Sequence, residues 1–164
     1  MSACVKQPSY PPYPILTDIS VSKTVINLYP SSGGASLDSV LVTVHFTDGE
    51  GDIGPPSGTV DTATSVIPCT LHSYDINVIN NPAYNVFWYE YQQGSDSCID
   101  RLATAYIPNN PKYSGLSGAI QFYPTIECPP TGNKDTVYFS VFIKDRAGKL
   151  SNRLRTPGIV VTCN

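Results

Sequence analysis

Apolar and polar residues alternate along much of this chain, which is typical of strands in a sheet with one buried face. The clearest run covers residues 40–47, where one set of side chains is apolar and the other is mixed. The first set is Val40, Val42, Val44 and Phe46, and the second is Leu41, Thr43, His45 and Thr47. No segment shows sustained 3.6-residue periodicity with caps, so the sequence predicts no long helix.

Further segments carry the same period of two. Residues 15–29 are predicted to hold one or two short strands with a break at Ser22-Lys23, and residues 65–73 a further strand. Residues 84–92 form an aromatic strand, with residues 99–107 as its hairpin partner. The remaining predicted strands cover residues 116–122, 137–144 and 158–163. About seven strands at this spacing predict an all-β fold, an immunoglobulin-like antiparallel β-sandwich.

Composition agrees with one turn-rich β domain. The chain has 164 residues, with 15 Pro, 12 Gly and 11 Tyr but only 14% charged residues. Residues 1–14 are rich in proline, which fixes φ and removes backbone donors, so they are predicted to be an extended tether before a domain at residues 15–164. A net charge of −3 argues against nucleic acid as a partner.

Five cysteines in a small β chain indicate an oxidising compartment. Ser2-Ala3-Cys4 resembles the end of a bacterial lipobox, so we predict lipidation at Cys4, although an ordinary thiol there is the alternative. The other four would then form two disulfides, and three pairings are open. Our preferred pairing, in which each bridge closes a moderate loop, is Cys69–Cys98 with Cys128–Cys163.

An acidic loop follows the clearest strand. Asp48, Glu50 and Asp52 stand at alternate positions between glycines, like the first half of an EF-hand loop. The residue at loop position 12 is Thr59, which has no carboxylate, so this is not an EF-hand. If the loop after the sixth strand lies at the same pole, Asp145 and Arg146 join the cluster.

Two interpretations of this cluster follow. Asp48, Glu50, Asp52 and Asp145 are candidate Ca²⁺ ligands, because close carboxylates need a cation. Alternatively, Arg146 alone ties down an Asp/Gly turn. The sequence favours the turn, because the EF-hand match is partial.

Two motifs resemble a group of uncharacterised Bacteroidota lipoproteins. Residues 46–54, FTDGEGDIG, are similar to their F-x-D-G-D-G-D-I/L-G motif, and residues 143–152, IKDRAGKLSN, to their closing I-K-D-R-A-x-x-x-S-N segment. Glu50 departs from the central Asp, and the residues after Cys4 lack the acidic tag of surface-exported members. The resemblance implies an exported, lipid-anchored β-sandwich on either face of the outer membrane.

The sequence contains no G-x-S-x-G, H-E-x-x-H or phosphate-binding glycine loop, so we do not expect an enzyme. We predict a lipid-anchored accessory or binding protein at the outer membrane, with an envelope protein, a β-barrel transporter or a glycan as partner. An adhesion module with a Ca²⁺-stabilised pole is the first alternative. The second is a carbohydrate-binding module, in which Tyr84, Trp88, Tyr89 and Tyr91 stack on sugars instead of forming core.

Overall fold

The computed structural model describes residues 9–28, 37–57, 79–91, 98–108, 115–127 and 134–162. Nine strands lie within these residues. They are β1 (Ile15–Leu28), β2 (Leu37–Asp48), β3 (Val86–Tyr91), β4 (Cys98–Leu102), β5 (Leu116–Phe122), β6 (Thr125–Glu127), β7 (Lys134–Ile143), β8 (Leu154–Arg155) and β9 (Ile159–Thr162).

The strands form two antiparallel sheets. In the first, β2 lies between β1 and β5, and the start of β2 also pairs with β6. The second has the order β4-β3-β7-β8, and β9 pairs with the other end of β7. The predicted all-β sandwich is therefore confirmed, while its immunoglobulin type stays a prediction.

One apolar core lies between the sheets. Val42, Val44 and Phe46 enter it from β2, and Phe139 and Val141 enter it from β7. The stacked rings of Trp88 and Phe122, with centroids 4.6 Å apart, join β3 to β5 across the core. Each fully buried side chain of this size stabilises the fold by roughly 1.5–3 kcal/mol.

A second cluster lies on the outer face of the second sheet. It contains Tyr84, Phe87, Tyr89 and Phe142, all buried, with Ile79 packed against them. The alternation predicted for β3 is confirmed, because Val86 and Trp88 face the main core while Phe87 and Tyr89 face outward into this cluster. Two of the proposed sugar-stacking rings, Tyr84 and Tyr89, are buried here, and Trp88 lies in the main core.

Some predicted boundaries were wrong. The predicted break at Ser22-Lys23 does not exist, because β1 runs through it and pairs Ser22 with Leu41 and Lys23 with Val40. A neighbouring strand supplies hydrogen bonds whatever the local polarity, so pairing outweighs propensity here. The estimate of seven strands missed β6 and β8, since three and two residues are too short to show alternation. The strand predicted at residues 65–73 lies outside the described residues.

Candidate functional site

The candidate site lies at one pole of the sandwich, where the loop after β2 meets the turn after β7. Ile53 and Asp145 form an isolated antiparallel bridge between these two segments. The Arg146 N–H donates to the carbonyl oxygen of Asp52 at 3.1 Å. Because β2 and β7 belong to different sheets, these bonds join the sheets at the pole.

Asp48 shapes the acidic loop. It ends β2 and is fully buried, and its two carboxylate oxygens accept the backbone N–H groups of Glu50 at 3.3 Å and of Asp52 at 3.0 Å. Gly51 has a φ of 67°, a left-handed conformation that glycine adopts without a steric cost. The alternating Asp and Gly residues therefore fold the loop back on Asp48.

Three carboxylates converge beside this loop. One oxygen from each of Glu50, Asp52 and Asp145 lies within 4.8 Å of the other two. Asp52 and Asp145 are 8% and 2% exposed, and Glu50 is exposed. Asp145 accepts the Lys149 N–H at 2.7 Å through Oδ1, but its Oδ2 and the Oδ1 of Asp52 are buried without a hydrogen-bond partner among the described residues.

Burial in this cluster changes the proton affinity of its acids. Burial raises the pKa of Asp48 above its ordinary value of 3.8, and the charge of Asp52 raises it further, against the opposing effect of the two backbone hydrogen bonds. Burial also raises the pKa of Asp145, and the charges of Asp52 and Asp48 add to that rise. The cluster thus favours either protons or another positive charge.

Two side chains bring positive charge to the pole. Arg146 donates from Nη1 to the carbonyl oxygens of Ile53 at 3.1 Å and Ile107 at 3.0 Å, and it stacks 5.0 Å from the Tyr106 ring. Lys149 forms an ion pair with Glu50 at 3.0 Å. The sequence did not predict Lys149 as a cation of this site. Its position three residues after Arg146, in a segment that forms a turn, was the only signal that could have indicated it.

The end of the predicted tether lies against this site. The Gly49 N–H donates to the carbonyl oxygen of Pro11 at 2.7 Å, and Lys149 Nζ donates to that of Pro12 at 2.6 Å. A Cβ on Gly49 would meet the carbonyl oxygens of Tyr10 and Pro11, so glycine is needed for this close approach. The tether therefore packs onto the acidic loop along its described residues.

The closing motif has structural roles next to the site. The Ser151 hydroxyl accepts the Ile143 N–H at 2.9 Å. The Asn152 side chain bonds to both backbone groups of Leu16, accepting from its N–H at 2.7 Å and donating to its carbonyl oxygen at 3.0 Å. Asn152 thereby fastens the start of β1 to the segment before β8, which its place in the sequence did not reveal.

Other predicted site residues lie beyond what the structure describes. Cys4, Cys69, Cys128 and Cys163 lie outside the described residues, and Cys98 begins β4 without a described side chain. The lipidation site and both disulfides therefore stay predictions.

Comparisons with known proteins identify no relative of this chain. No protein-family model, no curated protein and no solved structure matches this chain. In the part of the chain that the structure describes, no helix is both long and apolar enough to span a membrane.

Proposed function

We propose that this protein is a non-catalytic β-sandwich module of the cell envelope that binds Ca²⁺ at one pole through Glu50, Asp52 and Asp145. The observation behind the proposal is the pair of buried carboxylate oxygens, Asp52 Oδ1 and Asp145 Oδ2, that lack a hydrogen-bond partner among the described residues. A buried, unsatisfied carboxylate is costly unless it gains a proton or a cation.

The donor set favours Ca²⁺ over other metal ions. All three groups are carboxylates, which are hard oxygen ligands, and Ca²⁺ accepts six to eight oxygens in flexible geometry. Three protein carboxylates leave several positions for water or backbone carbonyl oxygens. A partly exposed site of this kind is expected to bind with a Kd of about 10⁻⁴–10⁻³ M, as in extracellular modules.

The competing interpretation is that a protein cation alone ties down the turn. Lys149 does neutralise Glu50, but this pair is about half exposed, so solvent screens it and it contributes little stability. This ion pair leaves the two buried oxygens without a hydrogen bond from any residue that the structure describes. An oxygen of Asp52 lies within 4.8 Å of one of Asp145, so one divalent ion could neutralise both buried carboxylates, which supports the ion over the turn.

Binding would have a mechanical consequence. The ligands come from the loop after β2 and the turn after β7, so an ion joins the two sheets at the pole where Ile53 already pairs with Asp145. An adhesion or structural role with a stiffened pole is the function that this arrangement supports best. The lipid anchor at Cys4 and an accessory role beside an envelope protein stay predictions, which palmitate labelling of the wild type and of Cys4→Ser tests.

Calcium titration tests the proposal directly. At about 10 mM Ca²⁺, some tenfold above the weaker end of the expected Kd range, binding should stabilise the protein by about 1.4 kcal/mol. The melting temperature should then rise by about 3–6 °C for a domain of this size. Calorimetry should show saturable heat, and Mg²⁺ at the same concentration should have a much smaller effect because it demands ideal octahedral geometry.

Two variants locate the ion. Asp52→Asn should abolish the response to Ca²⁺, since it removes one of the buried ligands. Asp100→Asn is the matched control, because burial also raises the pKa of Asp100 but it lies on β4, apart from the cluster. Absence of both heat and melting shift in the wild type contradicts the proposal, as does an undiminished response in Asp52→Asn.

A further inference from the structure

The outer face of the second sheet carries cations above an aromatic layer. Burial leaves Tyr89 and Phe142 5% and 1% exposed, so their rings do not form the surface. What lies above them is positively charged. We call the following four side chains, all at least partly exposed, the cationic face: Arg101, Lys134, Arg153 and Arg155.

Each arginine of this face packs its guanidinium group against aromatic rings. The Arg153 guanidinium lies 5.0 Å from the Tyr89 centroid and 4.8 Å from that of Phe142. Arg155 lies 4.2 Å from the Tyr138 ring and 5.4 Å from that of Tyr91. Similarly, Arg101 lies 4.4 Å from the ring of Tyr84. Such contacts hold the guanidinium groups in place, so less side-chain entropy is lost when a ligand binds.

The guanidinium N–H groups of Arg153 and Arg155 are available to bind a ligand. Within the described residues, Arg153 and Arg155 contact aromatic rings and donate no hydrogen bond to protein. Each guanidinium has five N–H donors in its plane, and stacking on a ring leaves those donors accessible at the edge. The two arginines are two residues apart, which separates their Cα atoms by about 6–7 Å in extended chain.

The described strand positions of this face carry charge of one sign. Along β3, β4, β7 and β8, the positions that alternate with the core-facing residues contain no aspartate or glutamate. Lys144 also points to this face, but the carbonyl oxygens of Ile79 and Asn81 bind its Nζ under a covering segment. A positive surface on a chain of net charge −3 is complementary to an anionic partner.

We propose that the cationic face binds a linear polysaccharide bearing carboxylate groups. The planar forks of Arg153 and Arg155 match carboxylates in bidentate geometry, and the half-buried Tyr91 and Tyr138 flank them. Stacking on neutral sugars does not suit this face, because its rings lie beneath the arginines. The cationic face shares no residue with the calcium site.

Other polyanions fit the face less well. Among the described residues that point outward on this sheet, Val160 is the large apolar side chain that is more than half exposed, which is a poor anchor for a bilayer. Arginine is common in protein interfaces, but it usually surrounds an apolar centre, and on the described part of this face Val160 is the large apolar side chain available for one. A flexible chain with repeated carboxylates requires neither feature.

Affinity electrophoresis of the full chain in gels containing polygalacturonate tests the proposal. We expect retardation by polygalacturonate and none by dextran, a neutral polymer. The affinity should fall about tenfold between roughly 50 and 200 mM salt, as for a ligand neutralised by two or three cations. Vesicles of phosphatidylglycerol serve as the membrane comparison and should bind more weakly than polygalacturonate.

Three double variants distinguish binding by the cationic face from attraction by the net charge of the protein. Arg153→Gln with Arg155→Gln should weaken binding at least tenfold. Ser20→Glu with Ser22→Glu changes the net charge equally on exposed positions of β1, in the other sheet, and should change affinity less than twofold. Arg153→Lys with Arg155→Lys keeps the charge but loses the fork, and should weaken binding at least threefold.

Each of three results would overturn the proposal. They are no retardation of the wild type, equal weakening by the serine variant, and binding to vesicles but not to polygalacturonate. If the glutamine variant does not fold, the lysine variant decides: weaker binding supports the face, and unchanged affinity contradicts it.

Discussion

Replacing Asp145 by asparagine should stabilise the calcium-free protein, although Asp145 is one of the most deeply buried polar residues. Its carboxylate lies within 4.8 Å of the Asp52 carboxylate, and two unit charges at that distance repel by about 3.5 kcal/mol at an effective dielectric of 20, or about 0.9 kcal/mol in water. Asparagine removes this repulsion and keeps an oxygen for the Lys149 N–H. Its NH₂ group takes the place of Oδ2, which lacks a hydrogen-bond partner among the described residues, and so brings a donor beside the Asp52 carboxylate.

The expected gain is smaller than the Coulomb energy. A carboxylate accepts the Lys149 N–H more strongly than an amide oxygen does, so part of the gain is lost. We expect Asp145→Asn to raise the free energy of unfolding without calcium by about 1–2 kcal/mol, and the melting temperature by about 2–8 °C. In about 10 mM Ca²⁺ the difference between the two proteins should shrink by about 1.4 kcal/mol, because the wild type gains stability from the ion while the variant, lacking a ligand, does not.

Urea unfolding with EDTA and with Ca²⁺ measures both parts of this prediction. Asp100→Asn, another partly buried acid, should leave the increment produced by Ca²⁺ unchanged. If Asp145→Asn is destabilised by more than about 1 kcal/mol in EDTA, the Asp145 carboxylate is not repelled in the native state and the electrostatic reasoning fails. If the variant keeps the full calcium increment, Asp145 is not a ligand.

Three further predictions concern the same pole. Without calcium, the melting temperature should rise as pH falls from neutrality towards the raised pKa values of Asp48 and Asp145, because there the folded protein binds protons that the unfolded chain, with ordinary values of 3.8, does not bind. A fluorimetric scan showing an equal rise in saturating Ca²⁺ would contradict this. Lys149→Gln should strengthen Ca²⁺ binding about threefold or more in calorimetry, since the ammonium competes for Glu50; unchanged or weaker binding would refute the competition. Asn152→Asp should lower the free energy of unfolding, measured in urea, by about 1–3 kcal/mol, because a carboxylate cannot donate to the β1 carbonyl oxygen. An unchanged unfolding midpoint would show that this hydrogen bond does not stabilise the fold.

The sequence predicted the parts of the fold that depend on neighbouring residues. Alternation in residues 40–47 assigned the faces of β2, and the aromatic alternation assigned those of β3, since the pleat of a strand sends successive side chains to opposite sides. Strands of two or three residues could not be found in this way. The continuity of β1 through Ser22-Lys23 depends on its partner β2, which no local pattern represents.

The acidic loop was visible in the sequence as three acids spaced by glycines, and the alternative cation there was predicted to be Arg146. Only the tertiary structure decided that Lys149 pairs with Glu50 and that the Asp48 carboxylate accepts two backbone N–H groups. It also decided that one oxygen each of Asp52 and Asp145 finds no hydrogen-bond partner in the described part of the chain. Likewise, no sequence pattern placed Arg153 and Arg155 over rings of β3 and β7. Local periodicity determines which way a side chain points from its own strand, whereas charge pairing and burial depend on which distant strands become neighbours, and that is decided when the two sheets pack.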